Sequence, residues 1–496
     1  MLVHTSLRKP TSFSLRKTVR PFLWLLIVLT FVSSGPLAAL AQQYESLPYK
    51  KLASSRSRVQ RMLRGDETLA GNEETFDAFF TQYVFAEMAP SDPQKLGNIG
   101  YARVKFRNQY LKASTFRNPA ARDRLNQLAM VTMKQVINGN FPPGVRTNAV
   151  LTIAMLNQEP PVVSGANRQP PVPWPEASEY LLSLLDASRQ DALLISALVG
   201  LVRHAKYGLN DQQRAELTPK MLAIVSQRES PSGRLPEVHV WFRTGAADVL
   251  AAMRDPGSGN EVLGALQTLF IEKGASNEQR CWAAAALAQL RYDETPKEIA
   301  STLVGQLGDF AVFSCQEENE IGSQNMLSGG PLRRGRTARG GSGLGMEMDM
   351  MGMFGGGPGR GQGVTDRRGR PGGRPGQRDR DTPRTEPKVE VETVFPRREL
   401  ADRLDCAGDA LQVVRIAADD THKDLAEQLL KQIKTARKAL DDQYKEDADL
   451  VLELDRVCQA MESALRKARA TAEETPDTAA PDETDQADED DVLASE

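Results

Sequence analysis

Residues 146–156 read RTNAVLTIAML, and the same pattern returns as RTGAADVLAAM at 243–253 and as RCWAAAALAQL at 280–290. Each copy begins with Arg, continues with a pair of small residues and then spaces its aliphatic residues at helical intervals, which gives one wide apolar face. A weaker copy begins at Asp191. Such recurrence is typical of repeat proteins, in which similar units stack on their neighbours.

The apolar positions of the four copies correspond, and we expect them to be buried between helices. They are Ala149, Val150, Ile153, Ala154 and Leu156, then Leu194, Ile195, Leu198, Val199 and Leu201, then Ala246, Ala247, Leu250, Ala251 and Met253, then Ala283, Ala284, Leu287, Ala288 and Leu290. The average interval between copies is close to the roughly 40 to 47 residues of two-helix solenoid repeats. Adjacent small residues let neighbouring helices approach closely.

The pattern Arg-x-x-Ala-Ala-x-x-Leu-Ala-x-Leu resembles the second helix of HEAT and HEAT-like repeats. The resemblance covers residues 72–321 and implies an all-α protein, a HEAT-like α-solenoid of stacked helix pairs that offers a long surface to another macromolecule. In that family an Asp in the turn before the Arg commonly forms a ladder with it. Asn140, Glu237 and Gly274 stand in the corresponding stretches here, so the usual ladder is not expected.

Local signals support helices joined by short turns. Asp92-Pro93, Asn118-Pro119 and Thr295-Pro296 each place a capping residue before a proline at the first helical position. Ser276 and Gln279 have the spacing of a capping box. No stretch shows sustained alternation of period two, so almost no sheet is expected.

Composition divides the chain into six segments. We predict a signal peptide at 1–41, a flexible arm at 42–71, the solenoid at 72–321, a disordered Gly/Arg/Met-rich linker at 322–395, a small C-terminal helical bundle or hairpin at 396–472 and an acidic disordered tail at 473–496. The C-terminal helices are amphipathic, and we expect them to pack on themselves. Packing on the end of the solenoid, or as a coiled coil with another chain, is the alternative.

The N-terminus has the features of a secretory signal: basic residues, an apolar run at 22–32 and Ala39-Leu40-Ala41 as the cleavage site. The run is shorter than the roughly 17 to 25 residues that span a bilayer. The sequence therefore predicts an exported protein of the periplasm or cell envelope with no membrane span after cleavage.

The four cysteines fit no metal motif, and export would allow them to form disulfides. Cys281 and Cys315 flank the last repeat, whereas Cys406 and Cys458 lie in the C-terminal segment. One or two disulfides of unsettled connectivity are one interpretation. Buried free thiols are the other.

Motifs of catalysis are missing from the sequence. It contains no nucleophile elbow, metalloprotease helix, phosphate loop or Cys-x-x-Cys pair. His204 and His239 have no motif partner nearby, and His204 near a helix C-terminus is typical of a cationic cap. We therefore expect neither an enzyme nor a cofactor, and predict a scaffold that binds a protein partner.

Five residues are candidates for partner binding. Trp241 and Trp282 lie at the starts of repeat helices beside Arg243 and Arg280, where they line an inner groove or pack between repeats. Trp174 belongs to the Pro-rich insertion 158–175, which we expect to be extended and exposed, as a binding loop or a spacer.

The Arg-Gly tract at 331–384 indicates a different function. Export argues against nucleic acid, so anionic envelope polymers, acidic proteins or the chain's own acidic tail are the easier partners, and a plain solvated linker is the alternative. Thioether sulfur suits Cu(I). An alternative function is therefore a metal-binding or polymer-binding envelope protein, in which the tract would hold copper through Met346, Met348, Met350, Met351 and Met353.

Overall fold

The computed structural model describes residues 43–328 and 397–473, apart from residues 113, 115, 163–167, 187–189 and 443. The described chain is mostly helical, which confirms the all-α class. Its β structure is a small antiparallel pair, β1 (Asn157–Glu159) with β2 (Val172–Pro173), and one isolated bridge between Val162 and Gln169. The signal segment, most of the Gly/Arg/Met-rich segment with the five methionines considered for Cu(I), and residues 474–496 lie outside the described residues.

The N-terminal part packs around an aromatic cluster. Its helices are α1 (Arg56–Arg64), α2 (Glu73–Phe79), α3 (Phe85–Met88) and α4 (Ile99–Tyr110), with a π-helical turn at Phe80–Val84 and 3-10 turns at Ala53–Ser55 and Pro93–Asn98. The buried rings are those of Phe76, Phe79, Phe80, Phe85, Phe106 and Tyr110. The stretch expected as a loose arm differs from that expectation, because Val59, Met62 and Leu63 of α1 are fully buried.

Helix pairs follow. They comprise α5 (Pro119–Asn138) with α6 (Pro143–Ala154), α7 (Pro175–Asp186) with α8 (Asp191–Tyr207), α9 (Asp211–Ser226) with α10 (Pro236–Met253), and α11 (Glu261–Ile271) with α12 (Asn277–Leu287); a 3-10 turn, Ser258–Asn260, precedes α11. The second helices pack on one another in sequence order, α6 on α8, α8 on α10 and α10 on α12. Asn118 caps α5, and Ser276 with Gln279 forms the predicted capping box of α12.

The C-terminal segment joins this arrangement. The long helix α13 (Lys297–Ser328) runs seven residues past the expected solenoid end, and α14 (Arg397–Val414) packs on both α12 and α13. Helices α15 (Asp420–Asp441) and α16 (Asp447–Glu473) pack on α13 and on each other. We call α6, α8, α10, α12 and α14 the inner row.

Residues 403–413 explain why α14 belongs to that row. They read RLDCAGDALQV, which is a fifth copy of the repeat pattern, with Arg403 in the Arg position and Cys406-Ala407 in place of the small pair. Ala407, Ala410 and Leu411 are fully buried. The expectation that this segment packs on itself is therefore incomplete, because its first helix also extends the row.

Close helix approach depends on small residues in the row. A Cβ atom added at Gly200 of α8 would lie 2.7 Å from the Cβ of Ala154 at the end of α6. Most of the predicted positions are buried, but Val199 is 37% exposed. Val199 is exposed because Gly200 faces α6 and successive residues of a helix are rotated by about 100°. The side chain of Val199 is therefore turned from α6 toward solvent.

Candidate interaction surface

Each inner helix presents one stripe of partly or fully exposed residues at helical spacing. These stripes form what we call the row face, made of Leu151 and Met155, of Ile195, Val199 and Val202, of Trp241 and Asp248, of Trp282 and Ala285, and of Asp402, Asp405 and Asp409. Because the inner helices pack in sequence order, the apolar stripes of α6 and α8 come first, the tryptophans follow, and the acidic stripe of α14 comes last. The row face is thus apolar at one end and acidic at the other.

Trp241 and Trp282 meet in the middle of the row face. Their ring centroids are 5.0 Å apart and their planes are inclined at 56°. Both side chains are only partly buried, so the rings bridge α10 and α12 and still offer area to a partner. Paired aromatic rings of this kind are common anchors of protein interfaces.

The carboxylates of the row face are poorly neutralised. Asp248 lies two turns after Trp241 on α10; it is only partly buried, yet burial raises the pKa of its carboxyl to about 7. Asp409 is exposed, but partial desolvation and the neighbouring Asp405 raise the pKa of its carboxyl. Asp405 itself is 2.8 Å from Arg437 of α15. A cationic partner group would favour the ionised forms of Asp248 and Asp409.

Arg243, a partner-binding candidate, is instead buried in the structure. Its Nε donates to the carbonyl of Val225 at the end of α9, 2.9 Å away, and its Nη2 lies 2.6 Å from Oε2 of Glu272, just after α11. With only 6% of its side chain exposed, Arg243 cannot contact a partner. It fastens one helix pair to the next.

Arg146 makes the same connection two repeats earlier. Its Nε donates to the carbonyl of Ile137, 2.8 Å away, and its Nη1 donates to Oε1 of Gln190, 3.3 Å away. An arginine ladder therefore exists without the Asp residues that the sequence lacks. Helix-end carbonyls and a polar residue from the next pair serve as the acceptors.

Arg280 and Trp174 are partly buried. The guanidinium of Arg280 lies 5.8 Å from the ring centre of Phe313 on α13, and its Nε is buried. Trp174 is partly buried against the core, and its backbone N–H donates to the carbonyl of Leu156, 3.1 Å away. The insertion that contains Trp174 is not simply extended, because it forms the β1–β2 pair and a bridge between Val162 and Gln169.

His204 and Ser178 form a contact that resembles part of a catalytic site. Ser178 Oγ is 2.6 Å from His204 Nδ1, and His204 Nε2 is 3.1 Å from the carbonyl of Ala154. Both residues are fully buried, so no substrate reaches the hydroxyl. Burial, helped by Arg203, lowers the pKa of His204 to about 3. The expectation of a cationic cap was therefore wrong: the imidazole is neutral and caps α6.

The cysteines pair across the chain. Cys281 of α12 and Cys406 of α14 form a disulfide with their Cα atoms 5.6 Å apart. Cys315 and Cys458 are buried free thiols, and a hydrogen bond between them, together with burial, raises the pKa of Cys315. The disulfide interpretation holds for Cys281 and Cys406, and the free-thiol interpretation holds for Cys315 and Cys458. Both pairs join the N-terminal helices to the C-terminal segment.

Searches for other site chemistry in the described part of the chain were negative. It contains no group of three His, Cys, Asp or Glu residues arranged to hold a metal ion. The helices of this part are too short or too polar to cross a bilayer. The methionines considered for Cu(I) lie outside the described residues.

Comparison of the chain with family models, curated proteins and solved structures gave no match. The features that sequence reasoning missed are the fifth repeat copy and the carboxylates Asp248 and Asp409. The Arg position and small pair at 403–407 carried a readable signal for the fifth copy. Asp248 gave none, because a carboxylate on an amphipathic helix is usually solvated.

Proposed function

We propose that this chain is an exported, non-enzymatic binding protein, a HEAT-like α-solenoid whose row face holds another protein. The observation that carries the proposal is the contact between Trp241 and Trp282 at 5.0 Å in a stripe of partly exposed apolar residues. Partly exposed aromatic pairs of this kind are favourable to bury against a partner.

The charge pattern of the row face defines the partner further. Asp402 and Asp409 of α14 are exposed, and no described side chain forms an ion pair with either of them. A segment with apolar residues at one end and Lys or Arg at the other would match the row face from α6 to α14. Complementary charge of this kind also speeds association and selects among partners.

Two features support the non-enzymatic and exported parts of the proposal. The only Ser–His contact among the described residues is sealed from solvent. A disulfide between Cys281 and Cys406 is of the kind that persists in oxidising compartments outside the cytosol.

The test compares matched variants in affinity capture from an envelope extract, followed by binding measurements with the purified partner. Trp241→Ala/Trp282→Ala should weaken partner binding at least about tenfold, since truncation of aromatic anchors commonly costs 2 kcal/mol or more. The control Tyr101→Ala/Leu452→Ala removes two apolar side chains, 72% and 59% exposed, from α4 and α16, which do not belong to the inner row. It should bind as the unaltered chain does.

Deletion of residues 331–384 separates this function from one based on the Arg/Met-rich tract. The deletion variant should keep the partner if the row face binds it. A partner that survives the tryptophan substitutions and is lost with residues 331–384 would refute the proposal.

A further inference from the structure

The three C-terminal helices enclose a groove of about 900 Å³ that the row face does not include. Its walls come from α14, α15 and the start of α16. The charged residues that line it are Arg415, Glu427, Lys431, Lys434, Lys438, Asp442, Lys445 and Glu453. Five of these are basic and three are acidic, so the groove carries excess positive charge.

The excess charge is concentrated on α15. Lys431, Lys434 and Lys438 are exposed, lie three and four residues apart on one helix face, and form no ion pair within the described residues. The remaining cations are already occupied: Arg415 Nη1 is 2.8 Å from Glu427 Oε1, and Lys445 pairs with Glu453. Like charges at this spacing destabilise a helix slightly, and an anion bound across the three lysines would relieve that repulsion.

The chain itself supplies such an anion. Residues 474–496 contain ten Asp or Glu residues and no Lys or Arg, and they include the run Asp488-Glu489-Asp490-Asp491. We propose that this C-terminal segment binds the lysine groove of its own chain. The proposal is independent of the partner on the row face. It makes the lysine groove, rather than the Arg-rich tract, the binding site of the acidic segment.

The geometry permits the contact. Leu429 and Leu465 both lie next to Gly308, and α15 and α16 are joined by a short turn, so the two helices are antiparallel. Glu453 lines the groove and Glu473 ends α16, a separation of about 30 Å at 1.5 Å per residue. Residues 474–487, fully extended, span up to about 46 Å. The acidic run at 488–491 therefore reaches the groove.

The charge spacing also agrees. Lys434 and Lys438 are about 6 Å apart along the axis of α15. Alternate residues of an extended segment are about 6.8 Å apart on the same side. Two acidic side chains of the run can therefore contact two lysines at once, and the bound segment would keep other anions out of the groove.

Carbodiimide cross-linking of the full chain, which joins carboxylates to nearby amines, tests the contact directly. Mass spectrometry should find residues 482–491 joined to Lys431, Lys434 or Lys438. Such links should be fewer in about 0.5 M salt, because salt at this concentration screens exposed charge pairs and weakens their attraction. Links spread evenly over surface lysines elsewhere would overturn the proposal.

A labelled peptide of residues 482–496 tests the site by titration into a chain that ends at Glu473. Lys431→Gln/Lys434→Gln/Lys438→Gln should weaken binding about tenfold, since each exposed pair contributes up to about 1 kcal/mol. The control Lys112→Gln/Lys273→Gln/Lys297→Gln removes the same charge from exposed sites outside the groove and should bind normally. Equal loss in both variants would overturn the proposal.

The full chain provides the test of the occupant. In the full chain, residues 474–496 should compete with the labelled peptide for the lysine groove. The peptide should therefore bind the full chain more weakly than it binds the chain ending at Glu473. Equal affinity would show that the groove is open and takes a foreign anion, which contradicts occupation by residues 474–496.

Discussion

Gly200→Ala tests the close approach of α6 and α8 with the smallest available change. The added Cβ would lie 2.7 Å from the Cβ of Ala154 and 3.0 Å from Leu181 Cδ1. Carbon atoms in contact prefer about 3.5 to 4.0 Å. The Cβ of Ala154 is fixed to the backbone, so the two helices must separate; the Leu181 methyl can rotate away.

The expected magnitude follows from two opposing effects. Overpacking of a well-packed core commonly costs about 1–3 kcal/mol, whereas Gly to Ala inside a helix gains about 1 kcal/mol. We expect the free energy of unfolding of Gly200→Ala to fall by about 1–2 kcal/mol. Urea denaturation of the full chain, followed by far-UV circular dichroism, measures it.

Gly264→Ala is the matched control, because Gly264 is also inside a helix, α11, and a Cβ there meets nothing within 4 Å. It should raise the free energy of unfolding by about 0.5–1 kcal/mol. The double variant Ala154→Gly/Gly200→Ala restores the space and should recover much of the loss. If Gly200→Ala stabilised the chain as Gly264→Ala does, α6 and α8 would not be in this contact.

Three further predictions concern the disulfide, the arginine ladder and the carboxyl of Asp248. Reduction of the bond between Cys281 and Cys406, which are 125 residues apart, should lower the free energy of unfolding by about 2–4 kcal/mol, measured by urea denaturation with and without reductant; no change would mean that the bond is absent in solution. Arg243→Met removes the hydrogen bond to the Val225 carbonyl and the nearer of the two arginine partners of Glu272, which keeps only Arg228 at 3.9 Å. It should cost about 2–4 kcal/mol in the same assay; a loss below about 1 kcal/mol would place Arg243 at the surface. The pKa of Asp248 near 7 exceeds its unfolded value of 3.8, so between these values the folded chain holds a proton that the unfolded chain releases, and the free energy of unfolding falls as pH rises from about 4 to 7. Asp248→Asn should therefore raise the free energy of unfolding at pH 8 by about 1–3 kcal/mol. The gain should vanish near pH 4 and should be absent in the exposed control Asp402→Asn.

The sequence predicted the helical class because its evidence was local. Apolar spacing in 146–156, 243–253 and 280–290, together with capping residues such as Asn118 and Ser276, depends on a few neighbouring residues and gave the helices correctly. The weak copy at Asp191 was less reliable. There one small residue, Gly200, sets which side of α8 faces α6 and so leaves Val199 exposed.

Long-range pairing was the part that local patterns could not supply. Nothing near Cys281 indicates Cys406 as its partner, because the contact depends on where α14 packs after an insertion of 68 residues between Ser328 and Arg397. The site candidates divided for a similar reason. Trp241 and Trp282 have solvent on one side, whereas Arg243 lies where carbonyls of α9 and Glu272 converge, a position visible only once three helices are in place.

The inner row is tested most directly by cutting the chain between its fourth and fifth members. A protease site placed between residues 355 and 360, outside the described helices, allows cleavage of the folded protein, and size-exclusion chromatography in reductant then shows whether the two fragments stay together. Because α14 packs on α12 and α13, and α15 and α16 pack on α13, the fragments should co-elute even without the disulfide. Separation into two independent species under reductant would contradict a row that continues into α14.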